Sequence, residues 1–329
     1  MSENETTTCP ENSYGSTNSD VNDENGPPLS FADLGIPTGP QLETTVLGKY
    51  RKIQDVELKE FVFLGVTCVS LIATAIFTIY KLATVSKSDT DFTFALVLLL
   101  NTFFCLYYII HGILNERPYE IFILVVATFF ILLYIILNYA IGKTGTVKLV
   151  RLIAACVLCP VIIGLGGWIG KEYLLSGHLV FRIIGANSTL QTMCKMILLT
   201  FDLLTLDLQL GASMVILILS TGMKVDTKDI VILIVGGIIT IAWFVLGMWT
   251  MRKEHKIGTY VFLAASPLEI GYIIYKVVKS IENIAVSASL ASSTIACGVL
   301  ALTVRVAVII FSVLVMRNYN KGLKEKAFE

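Results

Sequence analysis

The sequence predicts an all-α fold: an integral membrane helical bundle of about eight transmembrane helices with a disordered N-terminal tail. Three observations predict it. Hydrophobic residues make up 55 % of the 329 residues and charged residues only 15 %, against about 25 % charged in a soluble domain. The apolar residues gather in runs of about 20, the length a helix needs to cross a hydrocarbon core of about 30 Å. The runs are solid rather than alternating, so each satisfies its backbone hydrogen bonds as a helix and not as a barrel strand. A mean hydropathy of +0.76 excludes a soluble enzyme and a disordered chain. With Lys+Arg 25 against Asp+Glu 25, no basic excess is left to neutralise phosphates, so no nucleic-acid partner is expected. The expected partner is the lipid bilayer.

The first element in order is the tail. Residues 1–48 carry Glu3, Glu5, Glu11, Asp20, Asp23, Glu24, Asp33 and Glu43 and no Lys or Arg. Ser, Thr, Asn, Gly and Pro fill much of the rest. Such a segment buries too little apolar area to offset the entropy of ordering, so disorder is expected. No apolar run precedes Phe61, so no cleavable signal peptide is expected and the first span must start insertion. The expected domains are the tail at 1–48, the bundle at 49–316 and a basic cytosolic C-tail at 317–329.

Eight spans follow: Phe61–Tyr80, Phe92–Leu114, Ile121–Ile141, about Leu149–Ile169, one within Met196–Met223, Ile230–Met251, Ile257–Tyr275 and one within Ile284–Met316. Most connections are short, so neighbours should pack antiparallel; Gly170–Lys195 is the exception. The eighth run is too long for one perpendicular span and must tilt, break or begin outside the hydrocarbon. Charge interrupts the first half of the fifth. With eight spans, 15 basic residues fall on the side of the termini, 9 on the other, and Arg305 inside the eighth span. The positive-inside bias then puts both termini in the cytosol. Tyr80, Trp249 and Tyr260 sit near span ends, where interfacial aromatics belong. The sequons at Asn4 and Asn187 would face the cytosol and stay unmodified.

Ionisable side chains in hydrocarbon are expensive and so mark candidate sites. The candidate polar site comprises Asp202, Asp207, Gln209, Glu269 and Arg305. Lys195, Asp202, Gln209 and Ser213 share one helical face. Asp207 lies about 140° from Asp202 around the helix, so the two carboxylates face apart. Two readings stand here: a polar seam lining a cavity, or a span that begins near Leu208 and leaves both aspartates among the headgroups. Glu269 follows Pro267, where a helix kink is expected: proline removes a donor and frees a backbone carbonyl about one turn earlier. A freed carbonyl beside a buried carboxylate suits a cation or proton site. The other reading is a Glu269–Arg305 ion pair that locks two helices together.

Other patterns are weaker. Ala285, Ser289, Ser293, Cys297 and Ala301 recur every fourth residue in the eighth run, and Gly166 and Gly170 make a shorter stripe; both permit close helix approach. Cys156 and Cys159 flank two apolar residues in mid-span with no further Cys or His nearby, so packing is expected rather than redox or metal chemistry. The remaining cysteines show no disulfide framework. His111, His178 and His255 lack metal-ligand spacing. Gly142-Lys143-Thr144 resembles the end of a phosphate-binding loop, but Leu137 stands where its first glycine belongs. No metal, no cofactor and no enzyme activity are expected.

The stretch from Tyr173 to Ala186, YLLSGHLVFRIIGA, resembles a run in an animal family of multi-pass membrane proteins known only as a domain of unknown function. The resemblance implies a helical membrane fold for the membrane region and assigns no activity or site residue. The residues themselves leave two functional classes. One is a proton- or cation-linked transporter or channel that moves a small ion or solute past the intramembrane charges. The other is a receptor-like or scaffold membrane protein whose buried charges only fix helix packing. The first is favoured, although no inverted repeat is visible. Neither oligomeric state nor the choice between plasma membrane and endomembrane is encoded legibly.

Overall fold

The computed structural model describes residues 42–45, 48–51, 56–84, 90–141, 146–185, 187–217, 227–282 and 288–324. A short antiparallel hairpin, β1 (Leu42–Thr45) with β2 (Gly48–Arg51), comes first, in a register pairing Leu42 with Arg51 and Thr45 with Gly48. The expected unstructured tail reached residue 48, so the hairpin moves that boundary back. Residues 1–41, with the Asn4 sequon, lie outside the described residues, as do Gly142–Thr144.

The rest is helical: α1 (Leu58–Thr84), α2 (Thr90–Leu114), α3 (Pro118–Ile141), α4 (Thr146–Ser176), α5 (His178–Ile184), α6 (Ser188–Leu217), α7 (Thr227–Arg252), α8 (Lys256–Glu282) and α9 (Ala288–Met316). Among the described residues seven of them are long and apolar enough to cross a membrane, and α3 adds a shorter apolar stretch, Pro118–Leu132. Of the eighth run, the described part from Ala288 to Met316 is one continuous helix, and Ile284 to Ser287 lie outside the described residues. The connection expected between Gly170 and Lys195 is largely helical: α4 runs on to Ser176 and α6 begins at Ser188, with α5 between them. Large apolar side chains point outward along most spans, among them Val69, Ile72 and Phe77 on α1, Ile238 and Val245 on α7, and Val306 and Ile310 on α9. Lipid is the solvent that makes such a surface stable.

Local chemistry sets several helix ends. Pro118 opens α3 at the first helical position, where a missing N–H costs nothing. His255 Nδ1 accepts the Gly258 N–H at 2.9 Å and caps α8. Asn187 Oδ1 accepts the Leu190 N–H at 3.2 Å and caps α6. Gly177 (φ 57), in left-handed backbone, and Gly185 (φ 77), at another positive-φ conformation open to glycine, bracket α5, which lets the seven-residue helix turn away from α4 and α6 at either end.

The spans form two four-helix units. In the first, α1 packs on α2, α2 on α3, α3 on α4, and α4 closes back on α1; in the second, α6 to α9 repeat that circuit, with α9 closing on α6. Contacts of α6 with α2 and α3 join them. Each unit has its own core: Phe63, Ile109, Ile121, Leu124 and Ile169 in the first, and Ile197, Leu204, Met214, Phe262, Ala301 and Val308 in the second. The glycine stripe works as expected: a Cβ on Gly166 would lie 2.7 Å from Val125 Cγ2 and 3.0 Å from Phe63 Cζ, so α3 and α1 close on α4 there. Helix α6 is the most enclosed span, with 61 % of its most apolar stretch buried. That is why it can be the least apolar: its polar residues meet protein, not lipid.

Candidate functional site

The two polar faces of α6 reach different units. Asp202 faces the first. Its Oδ1 accepts from Arg117 Nη1 at 2.8 Å, and Arg117 stands in the reverse turn between α2 and α3. The same Nη1 lies 3.9 Å from Glu120 Oε1, one turn into α3. Glu120 in turn holds His111 Nδ1, 2.8 Å from each of its carboxylate oxygens. One guanidinium and one imidazole therefore meet two carboxylates. Further along the same face, Gln209 accepts the Tyr108 hydroxyl at 2.9 Å and donates from Nε2 to Asn101 Oδ1 at 2.5 Å. Ser213 donates to the Gln209 carbonyl at 2.8 Å.

Asp207 faces the second unit. Its Oδ2 lies 2.8 Å from Arg305 Nη2 of α9, and the same nitrogen pairs with Glu269 Oε2 of α8. The Arg305 guanidinium sits 3.7 Å above the Trp243 ring of α7, and Trp243 stacks on Phe262 at 4.1 Å. All four helices of the unit thus meet at one side chain that is 1 % exposed. Lys276 lies further along α8, its ammonium 5.9 Å from the Tyr272 ring.

The candidate residues accordingly divide. Asp207, Glu269 and Arg305 come together, while Asp202 and Gln209 belong to a separate arrangement on the opposite side of α6. The expected angular separation of the aspartates is what the helix has. Both aspartates are buried well inside a continuous helix, which disfavours a span starting near Leu208. Pro267 lies on the outer face and α8 stays helical through it, and the Glu269 carboxylate is met by the Arg305 guanidinium. Arg117, Glu120, His111, Tyr108, Asn101 and Trp243 were not among the candidates.

Several buried atoms have no hydrogen-bond partner among the described residues: Asp202 Oδ2, Asp207 Oδ1, Glu269 Oε1, Trp243 Nε1, Tyr272 OH, and Arg305 Nε and Nη1. A small cavity of about 40 Å³ opens beside Asp202 and Arg117, roofed by Leu179 and Val180 of α5 and flanked by Lys195. Among the described residues no group of three or more His, Cys, Asp or Glu is placed to hold a metal ion. Cys156 is exposed and Cys159 buried, and both are free thiols. What the arrangement can do is hold charge inside a bilayer and exchange protons between carboxylates.

Apolar outward faces, two helical cores and ion pairs buried between the helices mark a polytopic α-helical membrane protein. Residues 47–169 and 184–314 match the model of the family DUF7789, a domain of unknown function, and the chain belongs to that family. The matched segments cover most of the two four-helix units; the residues between them, 170–183, include most of the stretch on which the resemblance in sequence rested. No curated protein and no solved structure matches the chain.

Proposed function

We propose that this protein is a proton-linked membrane transporter for a small ion or solute, without enzymatic activity. The carrying observation is the placement of Asp202 and Asp207 on opposite faces of α6. Each contributes to a buried group in which two carboxylates share one guanidinium at contact distance. An uncompensated charge in hydrocarbon is costly, and a bound proton is the smallest thing that balances it. The enclosed helix α6 carries both groups, so a change in proton occupancy at one shifts the helix that holds the other. The termini lie on the cytosolic side in this reading, as the basic residues are distributed. Tags at either end, probed before and after permeabilisation, check that orientation.

The test is proton movement. The purified full chain is reconstituted into vesicles with a trapped pH indicator, and an acid step is applied outside. Proton uptake is expected several-fold above protein-free vesicles, reduced to background in Asp202→Asn. Folded protein with no flux under any imposed gradient overturns the proposal.

One observation favours a second reading, a receptor-like or scaffold protein. Arg305 is held by two carboxylates and an indole ring from three other helices, as a clamp would be. Under that reading, a variant that exchanges the charges of Glu269 and Arg305 keeps its fold and no variant alters proton movement.

A further inference from the structure

We infer that the cavity beneath α5 is the port by which protons enter from the membrane face on which α5 lies, and that Asp202 is their first acceptor. The inference rests on the transporter reading and assigns it an entry point. The cavity, about 40 Å³, is lined by Arg117, Tyr119, Tyr173, Lys195, Leu198 and Asp202 among others. That space takes about two waters; most of its wall is apolar, and the Arg117, Lys195 and Asp202 side chains give them charged partners. Asp202 is only 1 % exposed; its Oδ1 accepts from Arg117, its Oδ2 has no donor, and its carboxyl group lies within hydrogen-bond reach of that of Glu120. A buried carboxylate oxygen lacking a donor, on a residue that lines a cavity with charged side chains in its wall, is the nearest proton acceptor by geometry.

The charged and titratable groups around Asp202 come from each element packed against it. Arg117 comes from the α2–α3 turn, Glu120 from α3, His111 and Tyr107 from α2, Tyr173 from α4, and Lys195 and Cys194 from α6 itself; Glu116 lies at the cavity rim. A hydronium in the cavity breaks one O–H bond, a new O–H bond forms on Asp202 Oδ2, and a water remains. Asp202 becomes neutral and its ion pair with Arg117 weakens. Glu120 is the next carboxylate within reach, 3.9 Å from the same Arg117 nitrogen. Arg117 swings to it, and Glu120 loosens its hold on His111. One proton thus exchanges a guanidinium between α6 and α3, one of the helix contacts that join the units.

Infrared difference spectra of the reconstituted full chain test this. A neutral-carboxyl carbonyl band should grow on acidification and vanish in Asp202→Asn. Leu198→Trp fills the cavity without altering any carboxyl group. In that variant the band should keep its amplitude and respond several-fold more slowly to a pH jump. Asp202→Glu, which keeps the group, serves if Asp202→Asn fails to fold, and should move the band without removing it. An unchanged band in Asp202→Asn, an unmoved one in Asp202→Glu, or an unslowed response in folded Leu198→Trp overturns the port. Vesicle proton flux separates the two proposals. Flux that survives Asp202→Asn and Leu198→Trp keeps transport and rejects this port; a band that behaves as expected without flux keeps the port and rejects transport.

Discussion

The two four-helix units run in the same order, close their circuits the same way and reverse direction at the same kind of turn, yet they put charge in different places. The α1–α4 unit has an apolar middle and gathers its buried ion pairs at one end, at Arg117, Glu120 and His111. The α6–α9 unit carries Arg305, Asp207 and Glu269 through its middle. One frame therefore accepts either filling, provided each buried charge meets its opposite. Helix α6 makes the difference consequential. It packs as a member of the second unit and presents Asp202 to the first.

The largest expected effect breaks the second unit at its centre. Arg305→Gln leaves Asp207 and Glu269 facing one another without a cation, a loss of about 3–5 kcal/mol. Folded yield in detergent should collapse. Because Arg305 serves two carboxylates, Arg305→Gln with Glu269→Gln recovers only part of the yield, and adding Asp207→Asn recovers most of it. Full recovery in the double variant would show that Asp207 is not held by Arg305. The same experiment at the end of the first unit should cost less, since the Arg117 side chain keeps 11 % of its exposure where Arg305 keeps 1 %: Arg117→Gln is expected to lose about 2 kcal/mol. Melting temperatures of Arg117→Gln, Asp202→Asn and the double variant give their coupling, and additive losses would remove the ion pair from the interface.

What the sequence showed and concealed follows from these contacts. Spans were legible because composition over about 20 residues reports lipid directly. Asp202, Asp207, Glu269 and Arg305 stood out as charges in apolar runs. Arg117 did not, because a basic residue between two spans counts as an interfacial one under the orientation rule, and nothing local tells that its turn is folded against α6. His111 and Asn101 sit in apolar runs but have no charge to flag them. Asn101 finds its partner far along the chain, at Gln209. The hairpin at 42–51 was hidden by the acidic, polar composition around it.

A third prediction sharpens the comparison through packing. Gly166→Val in α4 drives side-chain atoms into Val125 and Phe63 and should cost about 1–3 kcal/mol. Gly247→Val in α7 tests the other unit, where a Cβ would lie 2.7 Å from Phe262 and 2.9 Å from Leu204, and a similar loss is expected. Gly164→Ala, with nothing within 4 Å of the new Cβ, should leave the melting temperature the same or slightly higher. Equal losses at Gly164 and Gly166 would mean that backbone freedom, not close approach, is what those glycines supply.

The smallest expected effect asks whether the two reverse turns are the same device. After α2, the Glu116 N–H donates to the Ile113 carbonyl and the Arg117 N–H to that of Gly112; after α7, the Glu254 N–H donates to Met251 and the His255 N–H to Thr250. Both are the two-bond helix stop that normally ends on glycine. Here glutamate takes the left-handed position, at φ 46 and φ 51. Glu254 also ties down the chain beyond α9. Its carboxylate accepts the backbone N–H groups of Asn320 at 2.7 Å and Lys324 at 3.1 Å. With the Tyr319 hydroxyl 2.9 Å from Thr259 Oγ1, it folds that segment against this turn. Glycine and alanine at these sites both delete the carboxylate, so their difference isolates the backbone cost. That cost is about 1 kcal/mol for a left-handed residue bearing a Cβ. Glu116→Gly minus Glu116→Ala and Glu254→Gly minus Glu254→Ala should therefore agree, each near that value in the melting free energy. Hydrogen exchange at the Asn320 and Lys324 amides should rise in both Glu254 variants and in neither Glu116 variant. Agreement in the first measurement with contrast in the second means one turn in two copies, of which only the second holds the C-terminal segment. A difference between the Gly–Ala gaps larger than their size would mean that the turns share a hydrogen-bond pattern without sharing its strain.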